Sequence, residues 1–302
     1  LAGGVLSLIA FPAQAVPGAV DAGVLQRLAV AYALSGVPAA VALVFYGRIS
    51  LSRETWQAAR SALDARTREG LIGDLGHILA ETGTTTVLAS SVLQIGNAGT
   101  SGTLAAASVS LASGAILRFN RSDASNFNSA VSGIGALEKI GAGSLTVGGK
   151  LSHTGTTTVS AGTLQIGNGG TTGTLGTGAV LNNAALVMSR SDDVTVTNAI
   201  SGTGTLSKLG SNTLTLTGLQ TYAGATDVVG SLVFQNDVVP TTSGFTGAGA
   251  VTVEPSSASF TAASFTPSYT FASSISGLTL GKADSTTNIT VGSNLTISGP
   301  VK

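Results

Sequence analysis

Thr154-Gly155-Thr156-Thr157-Thr158-Val159, followed by Leu164-Gln165-Ile166-Gly167-Asn168, repeats an earlier stretch of the same chain. The earlier copy reads Thr82-Gly83-Thr84-Thr85-Thr86-Val87 and then Leu93-Gln94-Ile95-Gly96-Asn97, 72 and 71 residues before it. Between them, Ala130-Val131-Ser132-Gly133-Ile134-Gly135-Ala136-Leu137-Glu138-Lys139 returns 69 residues later as Ala199-Ile200-Ser201-Gly202-Thr203-Gly204-Thr205-Leu206-Ser207-Lys208. A third, diverged copy follows in Tyr222-Ala223-Gly224-Ala225-Thr226-Asp227-Val228 and Leu232-Val233-Phe234-Gln235-Asn236.

Inside each copy apolar residues alternate with Thr or Ser, as in Leu145-Thr146-Val147 and Thr213-Leu214-Thr215-Leu216-Thr217. Period-two alternation marks short strands with one buried face, and the Gly, Asn and Ser between them mark corners. Neither the period nor the glycine content suits a helix. A unit of about 70 residues is too long for one solenoid coil and fits about three coils of roughly 20 to 25 residues. Residues 82–302 then form a parallel β-helix of about ten coils, roughly 50 Å long, filled by Leu, Ile, Val and Ala and diverging after about residue 237. A propeller needs blades of about 40 to 50 residues with aromatic signatures, and a sandwich needs large inward side chains for a core about 10 Å thick. One Trp and four Tyr serve neither well. Alternation puts Leu214 and its aligned counterpart Leu145 inside and Thr215 outside.

Composition narrows the class. There are 41 Gly, 9% charged residues and no Cys, yet 43% of residues are hydrophobic at zero formal net charge. Disorder goes with low hydrophobicity and high net charge, so a packed chain is the better reading. Fourteen basic against fourteen acidic residues leave no electrostatic footprint for nucleic acid. Without Cys, stability rests on packing and hydrogen bonds.

The first 81 residues differ in character. They hold twelve of the 28 charged residues, six of each sign. Residues 1–15 are apolar and end in Ala13-Gln14-Ala15, the small-x-small pattern of a signal-peptide cleavage site, and the absent Met implies that the true start lies upstream. Residues 28–46 are uncharged, as a membrane span would be, but Gly36 and Pro38 divide them. Residues 24–35 read as helix and 40–46 as a buried strand. Residues 52–80 read as an amphipathic helical stretch. Residues 16–81 therefore make a small α/β or helical segment ahead of the solenoid. A third reading of the charge break near Thr82 is two segments joined from different reading frames.

The best repeat, Gly202-Thr203-Gly204-Thr205-Leu206-Ser207-Lys208-Leu209-Gly210, then Thr213-Leu214-Thr215-Leu216-Thr217-Gly218 and Thr221-Tyr222-Ala223-Gly224-Ala225-Thr226, resembles the autotransporter-associated β-strand repeat of passenger domains. The copy from Gly133 to Val159 departs from it, with Gly148-Gly149-Lys150 at the turn and His153 in place of Tyr. The resemblance, over residues 82–236, implies a right-handed parallel β-helix carried to the cell surface of a Gram-negative bacterium. It also implies an outer-membrane translocator as partner, whether the protein's own barrel or a separate chain. Residues 275–301, with Gly277-Leu278-Thr279-Leu280-Gly281-Lys282 and Asn288-Ile289-Thr290-Val291-Gly292, are similar instead to filamentous-haemagglutinin-like adhesins.

Catalysis needs titratable groups held together. Asp192-Asp193 is the one adjacent acidic pair after Thr82; its aligned copy, Ser122-Asp123-Ala124, keeps one carboxylate, which reads as a solvated corner. His77 falls in the helical stretch, and His153 stands at a turn position that Tyr222 fills in the next copy. No Cys or G-x-S-x-G elbow accompanies either, so both read as structural. Gly281-Lys282 lacks the spacing and the Ser or Thr of a phosphate loop. No run matches a calcium-binding nonapeptide. Arg118-Phe119-Asn120-Arg121 sets two cations beside an aromatic, which could touch a glycan but is more often surface decoration.

The sequence thus points to a non-enzymatic stalk of a secreted surface protein, tied to adhesion or biofilm, with no catalytic residue, cofactor or metal. Host or matrix glycans or proteins are the candidate ligands, and a polysaccharide-degrading β-helix enzyme is the alternative. If residues 1–15 are an export leader, intact mass of protein recovered from the cell surface shows Val16 as its first residue; a retained Leu1 contradicts it.

Overall fold

A computed structural model describes residues 83–238, 240–261, 264–265, 269–286, 288–289 and 297–302. The proposed leader, the 16–81 segment and His77 lie outside these residues. The described residues form an all-β parallel solenoid and contain no helix.

The chain visits three sides in turn. One side is an eight-stranded sheet that stacks Ser125–Phe127, Ser144–Val147, Thr163–Ile166, Ala185–Ser189, Thr205–Leu209, Thr226–Val228, Gly244–Thr246 and Thr270–Phe271. A second is six-stranded and runs from Val92–Gly99 through Ile116–Arg121, Ala136–Lys139, Thr157–Val159 and Val180–Asn182 to Ile200–Ser201. The third begins as Thr84–Val87, Ser108–Leu111 and Ala130–Gly133. After Val194–Val196 its place in the chain order is taken by Thr213–Leu216, Ser231–Gln235, Ala250–Glu254 and Gly277–Leu280. Every strand pair is parallel and nearly all are without a register slip; the exception lies between Ile95 and Gly99.

Register gives the coil length directly. Leu137 pairs with Thr157 twenty residues on, Leu214 with Leu232 eighteen on, and Val251 with Leu278 twenty-seven on. The eight-stranded side therefore records eight successive turns among the described residues, with coils both shorter and longer than the expected range.

The 70-residue repeat differs from three whole coils. Leu93 pairs with Leu117, Leu117 with Leu137 and Leu137 with Thr157, so three coils take 64 residues on one side. The repeat advances 71 before Leu93 recurs as Leu164. The extra seven residues carry the chain to the next side. Leu93 lies on the six-stranded side, Leu164 on the eight-stranded side, and Leu232 in the sheet of Ser231–Gln235. One repeat is thus about three and one-third turns. Leu145 and Leu214, equivalent in sequence, lie on different sides and both point inward at 1% exposure. The change of side costs nothing in packing because all three sides offer the interior the same alternation.

The corners need glycine where coils touch. Gly202 adopts φ of +106°, and a Cβ there would come within 2.2 Å of the Asn182 carbonyl oxygen of the coil below. Gly133, its repeat equivalent, stands at φ +100° over the Leu111 carbonyl.

The interior is less uniform than an aliphatic filling. Phe119 and Phe127 meet edge to face at 5.0 Å. Toward the C-terminal coils Phe245 contacts Phe234, Tyr269 and Phe271 at 5.8, 5.3 and 5.2 Å. Aromatic rings thus share the interior with Leu and Val even in coils of eighteen to twenty residues.

Leu214→Asp should cost several kcal/mol by burying an unpaired carboxylate, while Thr215→Asp on the outer face should cost under about 1 kcal/mol. Limited proteolysis should open the coils near Leu214 before the distant coil at Leu93, since solenoid coils contact mainly their neighbours. Equal disruption by the two variants would contradict the register.

Candidate functional site

The residue types that could carry chemistry fall into two groups, one inside the rod and one at its corners. Inside, the strand Ala136–Lys139 has Leu137 and Lys139 pointing the same way, so alternation carries a lysine into the core. Lys139 is 2% exposed, and its repeat equivalent Lys208 is 1% exposed. Neither ammonium meets a carboxylate. Lys208 Nζ donates to the carbonyl oxygens of Leu209, Gly210 and Val229 at 3.0, 2.9 and 3.1 Å and to Asn212 Oδ1 at 2.8 Å. Lys139 Nζ donates to the Gly141 carbonyl and, at 3.1 Å, to that of Ala161. Each side chain covers apolar surface with its stem and satisfies, with its head, carbonyls that the turning backbone leaves unpaired. Burial pushes both amines below the usual lysine range, and Asp193 partly opposes this at Lys208.

His153, at the position that Tyr222 fills in the next copy, is fully buried. Its Nε2 lies 3.0 Å from Thr157 Oγ1, while Nδ1 has no protein partner. Gly176 of the next coil lies against the ring: a Cβ there would approach it to 2.5 Å. Tyr222 repeats the arrangement, its hydroxyl 2.7 Å from Thr226 Oγ1, which in turn is 3.0 Å from Thr242 Oγ1. Burial lowers the His153 pKa from 6.5 to about 4 and pushes the Tyr222 phenol upward. Two aromatic side chains with polar tips thus fill equivalent interior positions.

On the outer strand faces and at the corners several charges are already committed. Arg118 Nε donates to Glu138 on the adjacent coil at 2.7 Å. Arg121 grips Asp123 through Nε and Nη2 at 3.0 and 2.8 Å and donates from Nη1 to the Gly102 carbonyl at 2.5 Å and from Nη2 to that of Thr100. Arg190 repeats this with Asp192 at 2.8 and 2.6 Å and with the Gly173 carbonyl at 2.5 Å. The arginine bonds hold both carboxyls below the usual range. Asp193 instead accepts the Thr213 amide at 2.7 Å. Phe119 points into the core, so Arg118-Phe119-Asn120-Arg121 presents no cation beside an open aromatic face. Lys282 reaches back to the carbonyls of Ser256 and Ser257, 3.3 and 3.0 Å away. Among the described residues no cluster of three His, Cys, Asp or Glu could hold a metal, and no helix is long and apolar enough to cross a membrane.

The buried lysines and the arginine clamps were missed in sequence reasoning. The signal was present as parity: Lys139 shares that of Leu137, and Lys208 that of Leu206.

Comparison with known proteins follows the same repeat. The family model described as passenger-associated-transport-repeat matches residues 137–166 and 206–230. Each stretch begins inside a lysine-bearing strand and runs through the next coil. These segments are autotransporter passenger repeats. Over 56 residues the chain is 59% identical to the adhesin BmaC autotransporter of Brucella suis biovar 1 (strain 1330). That alignment takes in 18% of this chain and 2% of the relative, so this chain corresponds to a small part of that protein's length. No solved structure matches.

His153 makes the rod sensitive to acid. Its folded pKa lies below the unfolded value, so the unfolded chain binds the proton more readily. Stability is then full above about pH 6.5 and lost as pH falls toward about 4, by up to about 3 kcal/mol. Hydrogen exchange should show the coils around His153 and Gly176 losing protection across that window, and His153→Tyr should abolish the local loss. Unchanged protection at pH 4 would show that the ring does not titrate as placed.

Proposed function

We propose that the chain is a segment of the surface-exposed passenger of an autotransporter adhesin and works as a non-enzymatic stalk. The observation that carries this reading is the coincidence of the passenger repeats with successive coils that stack through their backbones. A rod of this kind extends by adding coils and needs no separate core for each repeat. In this reading the coils are right-handed, as parallel crossovers in a sheet are. Residues 1–15 act in export, residues 16–81 form a module of their own, and an outer-membrane barrel elsewhere in the parent protein is the translocator. Cell-surface display follows, with host or matrix molecules as ligands of the whole adhesin.

The competing reading, a polysaccharide-degrading β-helix, needs free carboxylates grouped on one side. Glu138, Asp123 and Asp192 each bind an arginine, and Asp193 binds a backbone amide, which favours the stalk.

Antibody raised against this chain should label intact cells that carry the parent protein, without permeabilisation. The purified chain should leave polygalacturonate and alginate uncleaved with and without calcium. Labelling only after permeabilisation would overturn the surface assignment, and measurable turnover would overturn the non-enzymatic one.

A further inference from the structure

The three-and-one-third-turn repeat decides where equivalent loops emerge. Loop 96–103, Gly-Asn-Ala-Gly-Thr-Ser-Gly-Thr, begins in the irregular end of Val92–Gly99 beyond its register slip and leaves the six-stranded side, and loop 167–174, Gly-Asn-Gly-Gly-Thr-Thr-Gly-Thr, leaves the eight-stranded side. The diverged third copy leaves the remaining side after Ser231–Gln235. Each repeat turns the loop by one side of the rod and raises it roughly 16 Å, taking about 4.8 Å per coil.

Both loops are exposed and pre-set. Asn97, Ala98, Thr100 and Ser101 in one, and Asn168, Gly169, Gly170, Thr171 and Thr172 in the other, face solvent. Arg121 and Arg190 hold the two loop backbones by their carbonyls while their charge is neutralised by Asp123 and Asp192. Beside each loop is a small crevice, again at equivalent positions. The first, about 130 Å³, is lined by Gly102, Thr103, Leu104, Ser125 and Asn126; the second, about 180 Å³, by Gly173, Thr174, Leu175, Val194 and Thr195.

We propose that these loops are contact elements for a neutral, hydroxyl-rich polymer, a polysaccharide without acidic groups, displayed on a screw that advances one side of the rod per repeat. This rests on the surface-stalk reading and names its ligand class. Loops 96–103 and 167–174 carry hydroxyl, amide and backbone groups and one alanine methyl, so hydrogen bonding is the chemistry they offer; the third copy, with Asp237 and Val238 at this place, does not share it. The nearby arginines are spent on internal carboxylates, which removes the cation that a sulfated, phosphorylated or uronic acid ligand would seek. A flat rigid partner meets one of the two loops, because they leave different sides of the rod. A flexible polymer, or a mesh around the rod, reaches both of them and gains by multivalency.

Affinity electrophoresis of the full chain through gels containing dextran, galactomannan or amylose, with polygalacturonate as the anionic comparison, tests the proposal. Retardation is expected on at least one neutral polymer, unchanged by high salt. Thr100→Glu and Thr171→Glu should each weaken it about twofold, and the double variant about tenfold through lost avidity. Thr252→Glu, on a flat side three coils beyond the second crevice, should leave it intact, and circular dichroism should be the same for all four variants. The absence of Cys allows spin labels at Ala98→Cys and Gly170→Cys to report the screw directly. No retardation on any neutral polymer, retardation that salt abolishes, or equal retardation in the double variant would overturn the ligand assignment. Intact-cell antibody labelling alongside any of these would leave the stalk reading standing, and labelling confined to permeabilised cells would sink that reading instead.

Discussion

Parallel, almost slip-free pairing of each coil with the next is the constraint on which the other features depend. A strand such as Thr163–Ile166 has its backbone satisfied on both edges, by Ser144–Val147 below and Ala185–Ser189 above. Once backbone donors and acceptors are used this way, side chains need only obey parity: one set fills a narrow interior and the other meets water. Strands of two to eight residues suffice because stability comes from neighbouring coils and not from any one strand. The same constraint explains the glycines at close corners, where the carbonyl of the coil below occupies the place of a Cβ.

Corners are where this scheme leaves polar backbone unpaired, and the chain answers with cations. Lys208 turns its ammonium onto carbonyls of two coils from within, and Arg190 reaches a loop carbonyl from without while holding Asp192. Interior ammoniums without a carboxylate are tolerable because several carbonyl dipoles and an amide oxygen replace water around them. Lys139, Lys208, Arg121 and Arg190 thus serve architecture. That the passenger repeats begin at the strands bearing these lysines ties the family signature to the corner-capping device.

The mismatch between repeat length and coil length links fold to display. A repeat of three whole coils would place every equivalent loop in one line. A repeat that overshoots by one strand places them around the rod. This is permitted because the interior does not distinguish its three sides: Leu145 and Leu214 are equally buried in different sheets.

Much of the solenoid was legible in the sequence for a local reason. Alternation and corner glycines report directly on strand and turn, so strand character and the inward placing of Leu145, Leu214 and their kin follow from order along the chain. By itself the sequence determined that residues such as Thr213-Leu214-Thr215-Leu216 form one-face-buried strands and that their pattern recurs. Tertiary structure alone decided which strand lies on which. Coil lengths of eighteen, twenty and twenty-seven residues arise from how each corner closes over the one below. That closure turned a 71-residue repeat into three and one-third turns. It also buried His153 beneath Gly176 and drew Lys139 and Lys208 onto carbonyls contributed by the next coil. Each of these partners is about twenty residues distant in sequence and becomes a neighbour only when coils stack, so no local pattern could announce it.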